Sequence, residues 1–191
     1  GTAVSDHPEL AAICSDILDR KGRAAVGSLR IDRVDARIAA LLKRSGVETV
    51  ALAPEAGTQR LRDVIRKGIT EEQILAAAGT LASEGILKIR LYFMVGLPTE
   101  TDEDVEAVIH LSRAVRDYAL QCCTGKKPLQ RLTLSINQFI PKASTPFQWY
   151  PLEDIRSVRR KIRRIAEVMR RELLIHVIHD LPKWNLIQTL L

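Results

Sequence analysis

Cysteine is scarce in this chain and badly spaced for metal work. Three occur among 191 residues, Cys14 and the adjacent pair Cys122 and Cys123. An odd count with a vicinal pair argues against a disulfide framework. One pair plus a distant thiol is not a cluster or zinc motif either, so no metal-ligating residue is assigned. Thiols in a reducing compartment are the plain reading, and the expected location is cytoplasmic. No apolar run approaches the roughly 20 residues of a membrane span. No basic segment followed by an apolar stretch opens the sequence, which excludes a signal peptide from the expectation. Aromatics make up only 4%. The four histidines, His7, His110, His176 and His179, share no helix face. No Ser-His-Asp set and no glycine-rich phosphate loop is present. A hydrolytic triad and P-loop chemistry are thereby set aside, and an αβ hydrolase or aldolase would lack a recognisable nucleophile.

What remains is ordinary for a folded protein: 46% hydrophobic and 27% charged residues, in a length that suits one core. Net charge is +6, and much of it lies in residues 156–171, RSVRRKIRRIAEVMRR. Leu152, Ile155, Val158, Ile162, Ile165 and Val168 recur there at helical spacing. The arginines therefore form the outer face of an amphipathic helix. A nucleic-acid-binding module built on that face is the alternative reading. No aromatic residues interleave with the basic ones.

Strand and helix patterns alternate. Residues 6–20 read as a helix and 25–31 as a first strand. Residues 34–44 form a helix ended by Ser45-Gly46. A second strand, 49–53, is closed by Pro54. A short helix spans 58–66. Thr70 opens a helix over 71–83 through a Thr-x-x-Gln capping box. A third strand covers 87–95 and a long helix 101–120, with acidic residues in its first turn. A fourth strand spans 131–138 and the basic helix follows. Residues 173–179 form a further apolar run, and 182–191 a last helix. Helices of this length serve as crossovers, so the sheet is expected to be parallel; an open sheet and a barrel both satisfy the pattern.

In such arrays the loops after the strands form the functional face. These ends carry Arg30 and Asp32, then Glu55 and Gly57, then Gly96, Thr99 and Glu100, then Asn137, Gln138, Lys142 and Thr145. A carboxylate at 55 suits a ribose diol. The Gly96–Pro98 turn offers backbone groups to an adenine edge. Lys67 suits a carboxylate as a compact charge. Lys142 and the following Ser-Thr-Pro-Phe turn close a pocket.

The ordered segments SLRID, VALAPEAGTQRLRDVIRKGIT, KIRLYFMVGLPTETDEDV and INQFIPKASTPFQW resemble strands three to six of radical S-adenosylmethionine (radical SAM) enzymes. They are most similar to the branch of methylthiotransferase-like and cobalamin-binding-domain proteins. The resemblance implies an α/β fold, the C-terminal part of a (βα)6 TIM-like barrel: a partial parallel barrel over 1–150, with the basic helix and a terminal extension over 151–191. It implies SAM bound across the strand ends and cleaved reductively to a 5′-deoxyadenosyl radical. Carried over by position, Ser28 and Arg30 face SAM or substrate, Glu55 the ribose, Lys67 the SAM carboxylate. Met94, Val95 and Gly96 contact adenine, with Ile140 and Pro141 on its other side. No catalytic residue is assigned. A [4Fe–4S] cluster is implied, with its CxxxCxxC loop expected before residue 1, and cobalamin in the longer protein. The chain alone is expected to be inactive, the substrate is unknown, and pairing of two copies through the first strand is expected.

Overall fold

The computed structural model describes residues 6–26, 29–125 and 127–179. Helices α1 (Leu10–Asp19) and α2 (Ala36–Arg44) lead into strand β1 (Thr49–Glu55). Helices α3 (Gln59–Val64) and α4 (Glu71–Ser83) connect it to β2 (Lys88–Val95). Helix α5 (Asp102–Cys122) leads to β3 (Arg131–Gln138), and α6 (Ile155–Met169) to β4 (Ile175–His179).

Side-chain caps set most helix starts. Asp35 accepts the Ile38 N–H at 2.7 Å, and Thr58 accepts that of Leu61 at 3.2 Å. Thr70 with Gln73, and Thr101 with Asp104, form reciprocal capping boxes. Each such cap is worth about 1 kcal/mol, enough to define where a helix begins. The end of α4 is equally local: Gly85 takes φ +79°, and the Ile86 N–H returns to the Leu81 carbonyl at 2.9 Å.

All strands are parallel, in the order β1-β2-β3-β4. Each lies beside its predecessor, so the winding never reverses and no switch point divides the sheet. That order is the one of a barrel segment and not of a doubly wound sheet. β2 shows why one face is covered. Ile89, Leu91, Phe93 and Val95 are at most 1% exposed and join the helical core. Arg90, Tyr92 and Met94 point to the opposite face and stay half-buried. α6 is held to α5 by Arg164 on Glu106 at 2.6 Å, and α5 to the chain after α6 by Arg113 and Arg116 on Glu172.

Two strand expectations change. Of residues 25–31, the described ones, Ala25, Val26 and Leu29 to Ile31, are not part of a strand: Leu29 and Ile31 are buried, and the Leu29 N–H reaches the Ala51 carbonyl of β1 at 3.5 Å. Ile31–Arg33 turns into a 3-10 helix, which ends extension there. The second strand, in contrast, runs through Pro54 to Glu55. A bulge between Leu52 and Glu55 absorbs the missing proline donor. The expected helix over 182–191 lies outside the described residues. Among the described residues, no helix is long and apolar enough to cross a membrane.

Candidate active site at the strand ends

The bulge at the end of β1 puts Glu55 at φ +70°, a left-handed conformation that costs a glutamate about 1–3 kcal/mol. Arg66, Thr99 and Ser144 also have positive φ, at 51°, 65° and 62°, and all lie in loops around the carboxyl ends of the strands. Four of the six non-glycine residues with positive φ among the described residues thus lie where α/β proteins bind ligands, Lys21 and Leu174 being the others.

A cavity of about 680 Å³ opens there, within the range of small-molecule sites. One wall is polar: Glu55 and Lys67, paired Oε1 to Nζ at 3.0 Å, with Arg66 beside them. The other is apolar: Met94, Leu97, Phe139, Ile140 and Phe147. Phe139 and Phe147 meet edge to face at 6.0 Å, and Phe147 meets Tyr150 at 6.2 Å, which stiffens that wall. Lys142 and Thr145 complete the lip. A second hollow of about 390 Å³ shares Glu55 and Lys67 and contains Arg30 and Asp32. Arg30 binds both Asp32 oxygens at 3.0 and 2.9 Å, and this bond holds the Asp32 carboxyl below its ordinary range.

The structure thus gathers Glu55, Lys67, Met94 and Ile140 around one cavity and puts Arg30 in the adjoining hollow. Ser28 lies outside the described residues. Val95 is fully buried in the core on the helix-covered face of the sheet, and Pro141 is not on the cavity wall. Gly96 takes φ +81°, and its N–H donates to Glu100 Oε1 at 3.0 Å, so that donor is already engaged.

Glu100 leads to a residue that the sequence analysis did not single out. Lys161, within the basic run, is buried. Its ammonium sits 2.7 Å from Glu100 and 2.7 Å from Glu153. Burial pushes the Glu100 carboxyl above the ordinary glutamate range, against the pull of Lys161 and the Gly96 N–H. Burial pulls Lys161 down, but its two carboxylate bonds outweigh that and hold it above the usual lysine range. This cluster ties the turn after β2 to α6. The signal was in the spacing: position 161 lies between Val158, Ile162 and Ile165 on the apolar stripe. Arg62 was also missed. It is 1% exposed and clamps the turn after β1 by bonds of 3.0 Å to the Ala56 and Gly57 carbonyls. The Ser-Thr-Pro-Phe turn does line the cavity, through Thr145, Pro146 and Phe147, whereas Phe139 was not foreseen as a wall.

The basic face of α6 is partly spent. Arg164 chelates Glu106, Arg160 lies 3.9 Å from Asp102, and Lys161 is internal. Arg159 and Arg163 remain exposed.

The sequence model of the radical SAM superfamily matches residues 1–112. This chain belongs to the radical SAM superfamily. An uncharacterized protein of Methanocaldococcus jannaschii is 34% identical over 170 residues, covering 89% of this chain and 35% of that protein. An uncharacterized methyltransferase of Pyrococcus horikoshii is 33% identical over 93 residues, covering 48% of this chain and 20% of that protein. The radical SAM chain therefore spans about a third or less of the curated relatives it matches. Among solved structures, the radical SAM enzyme coproporphyrinogen III oxidase (HemN) of Escherichia coli aligns with a TM-score of 0.58 at 12% identity. The alignment covers 85% of this chain and 38% of that one, a likeness of fold.

Membership implies SAM and a [4Fe–4S] cluster as cofactors of the family. The cavity suits the first: a paired acid and base face an apolar slot of ligand size. The residues present do not suit the second. Among the described residues no three His, Cys, Asp or Glu stand close enough to hold a metal. Cys122 ends α5, at the opposite end of the sheet from the cavity.

Proposed function

We propose that this chain is the SAM-holding part of a radical SAM enzyme whose cluster ligands lie elsewhere in a longer protein. The observation that carries the reading is the Glu55–Lys67 pair, set on a strained bulge at the mouth of an apolar cavity. SAM, when bound, supplies the sulfonium whose reductive cleavage is the chemistry of the family. The chain's own residues bind and orient. Glu55 accepts hydrogen bonds from the ribose hydroxyls, and Lys67 moves from Glu55 to the SAM carboxylate. Met94, Ile140 and Phe139 sandwich the adenine and exclude water. The 191-residue chain alone is inactive on this reading. Cobalamin finds no support in the comparisons.

Titration of the chain with SAM by isothermal calorimetry tests this. A charged hydrogen bond is worth about 1.5–3 kcal/mol, so Glu55→Gln weakens SAM at least about tenfold with an unchanged melting temperature. Equal affinity for both proteins removes Glu55 from the site, and a wild-type chain that retains no SAM removes the reading.

Assembly is part of the proposal. On its outer edge β1 has no strand partner among the described residues, the Leu29 N–H reaching the Ala51 carbonyl at 3.5 Å, and poorly paired edges invite pairing between copies. Sedimentation velocity at high concentration is expected to show a dimer that Pro substitution at Ala51 weakens. A strictly monomeric profile ends that expectation.

A further inference from the structure

The face of the sheet turned away from the helices is polar, and it is layered in register. Met94 stands beside Asn137, Tyr92 beside Ser135 and Arg90 beside Thr133, and Ser135 and Thr133 in turn stand beside Ile178 and His176. Met94 belongs to the cavity wall. Tyr92 and Arg90 continue the same face below it, the latter about 13 Å down at roughly 3.3 Å per residue.

Arg90 is the anomaly. It is half-buried, its Nε is shut off from solvent, and that nitrogen has no hydrogen-bond partner. No carboxylate pairs with its guanidinium among the described residues, although thirteen ion pairs form elsewhere. Arg62 shares the unpartnered Nε but spends its other nitrogens on Ala56, Gly57 and Gln59. Arg90 spends none. Across the ladder from it stands Thr133, 9% exposed, and one step along the same face Ser135, 8% exposed; no protein group among the described residues bonds either hydroxyl, and neither oxygen is sealed from solvent. A solvent-sealed donor is almost always bonded, so the Arg90 Nε stands out. One guanidinium and two hydroxyls on one face, none engaged by a protein acceptor among the described residues, match the donor set of an oxyanion.

We propose that Arg90, Thr133 and Ser135 form an oxyanion subsite on the open face of the sheet, for the carboxylate or phosphate group of a bound molecule. As a statement about substrate class this rests on the enzyme reading above. The anion site itself does not, so its failure leaves the SAM titration untouched.

Thermal melts of the 191-residue chain in chloride, acetate and inorganic phosphate, at matched ionic strength, test it. Phosphate and acetate stabilise many proteins through exclusion from the surface, so the decisive quantity is the difference between wild type and Arg90→Met. Without a ligand, Arg90 is an uncompensated charge, and Arg90→Met melts higher than wild type in chloride. The preferred anion raises wild type by about 3–5 °C beyond its effect on Arg90→Met. The acetate and phosphate arms tell which oxyanion is preferred. Thr133→Val lowers the increment while leaving the charge in place. Equal increments in wild type and Arg90→Met, or a lower melting point of Arg90→Met in chloride, overturn the proposal.

Discussion

Lys161→Met is expected to cost the fold about 3–5 kcal/mol, the range for breaking a buried ion pair by removing one partner. Lys161 and Glu100 side chains are 8% and 3% exposed, so water cannot replace the lost ammonium. Glu153, 24% exposed, is left beside Glu100 with no counter-charge. Denaturant unfolding of the two proteins measures the difference. Its pH dependence has a definite sign. The Glu100 carboxyl lies above its ordinary value in the fold, so its contribution to stability is greatest at low pH and is lost as pH rises through the folded value. Without Lys161 that shift grows, and the deficit of the variant is smaller at pH 5 than at pH 8. Adding Glu100→Gln to Lys161→Met restores part of the loss, because contacting groups are not additive. A deficit below about 1 kcal/mol, unchanged with pH, would show that the cluster does not hold the turn after β2. Because the same Glu100 oxygen accepts the Gly96 N–H, the variant also loosens the turn beneath Met94 and Leu97, and SAM retention falls with it.

Gly57→Ala is the second large effect, and its cause is space. A Cβ at Gly57 would stand 2.3 Å from the Val108 nitrogen, 2.5 Å from the Ala107 carbonyl carbon and 2.8 Å from the Asp104 oxygen. All three belong to the backbone of α5, which cannot rotate away as a side chain can. The turn after β1 and the first turns of α5 must separate. That breaks the lock in which the Thr58 hydroxyl and the Arg60 guanidinium both bond to the buried Asp104 carboxylate. Overpacking costs about 1–3 kcal/mol where side chains adjust and more where backbone blocks. We expect at least about 3 kcal/mol, or roughly 6–12 °C in melting temperature for a chain of this size. Gly68→Ala is the control. Its φ is +65°, but nothing lies within 4 Å of the added carbon, so only backbone strain of about 1–2 kcal/mol applies. Equal melting points for the two variants would refute the packing argument. Gly57 is two residues from Glu55, so a folded remnant of the variant should also bind SAM less well.

Much of the fold was legible because its signals are local. The capping boxes at Thr70 and Thr101 placed the starts of two helices, and the alternation over residues 131–138 matched β3 end to end. The failures share a cause as well. Leu29 and Ile31 are buried as strand residues would be, yet burial alone does not make a ladder, which needs a neighbour's backbone at the right height. Pro54 reads as a stop, but a bulge accommodates it. Lys161 sits in a basic run, and its charge hides its place on the apolar stripe. Its carboxylate partner Glu100 lies 61 positions away, beyond any local pattern.

At the site, the residue types at the strand ends were readable, and the family resemblance ordered them. Their division of labour was not. Glu55, Lys67 and Met94 meet around one cavity. Glu100 and Gly96 turn inward to hold the loop, and Arg90 stands unpaired on a face that no motif marks. By itself the sequence determined most element types, the parallel winding and the family, because caps, periodicity and ordered motifs act over a few residues. Only the tertiary structure decided which charged groups pair and which remain uncompensated, because pairing depends on distances between strands and helices that lie dozens of residues apart in the chain.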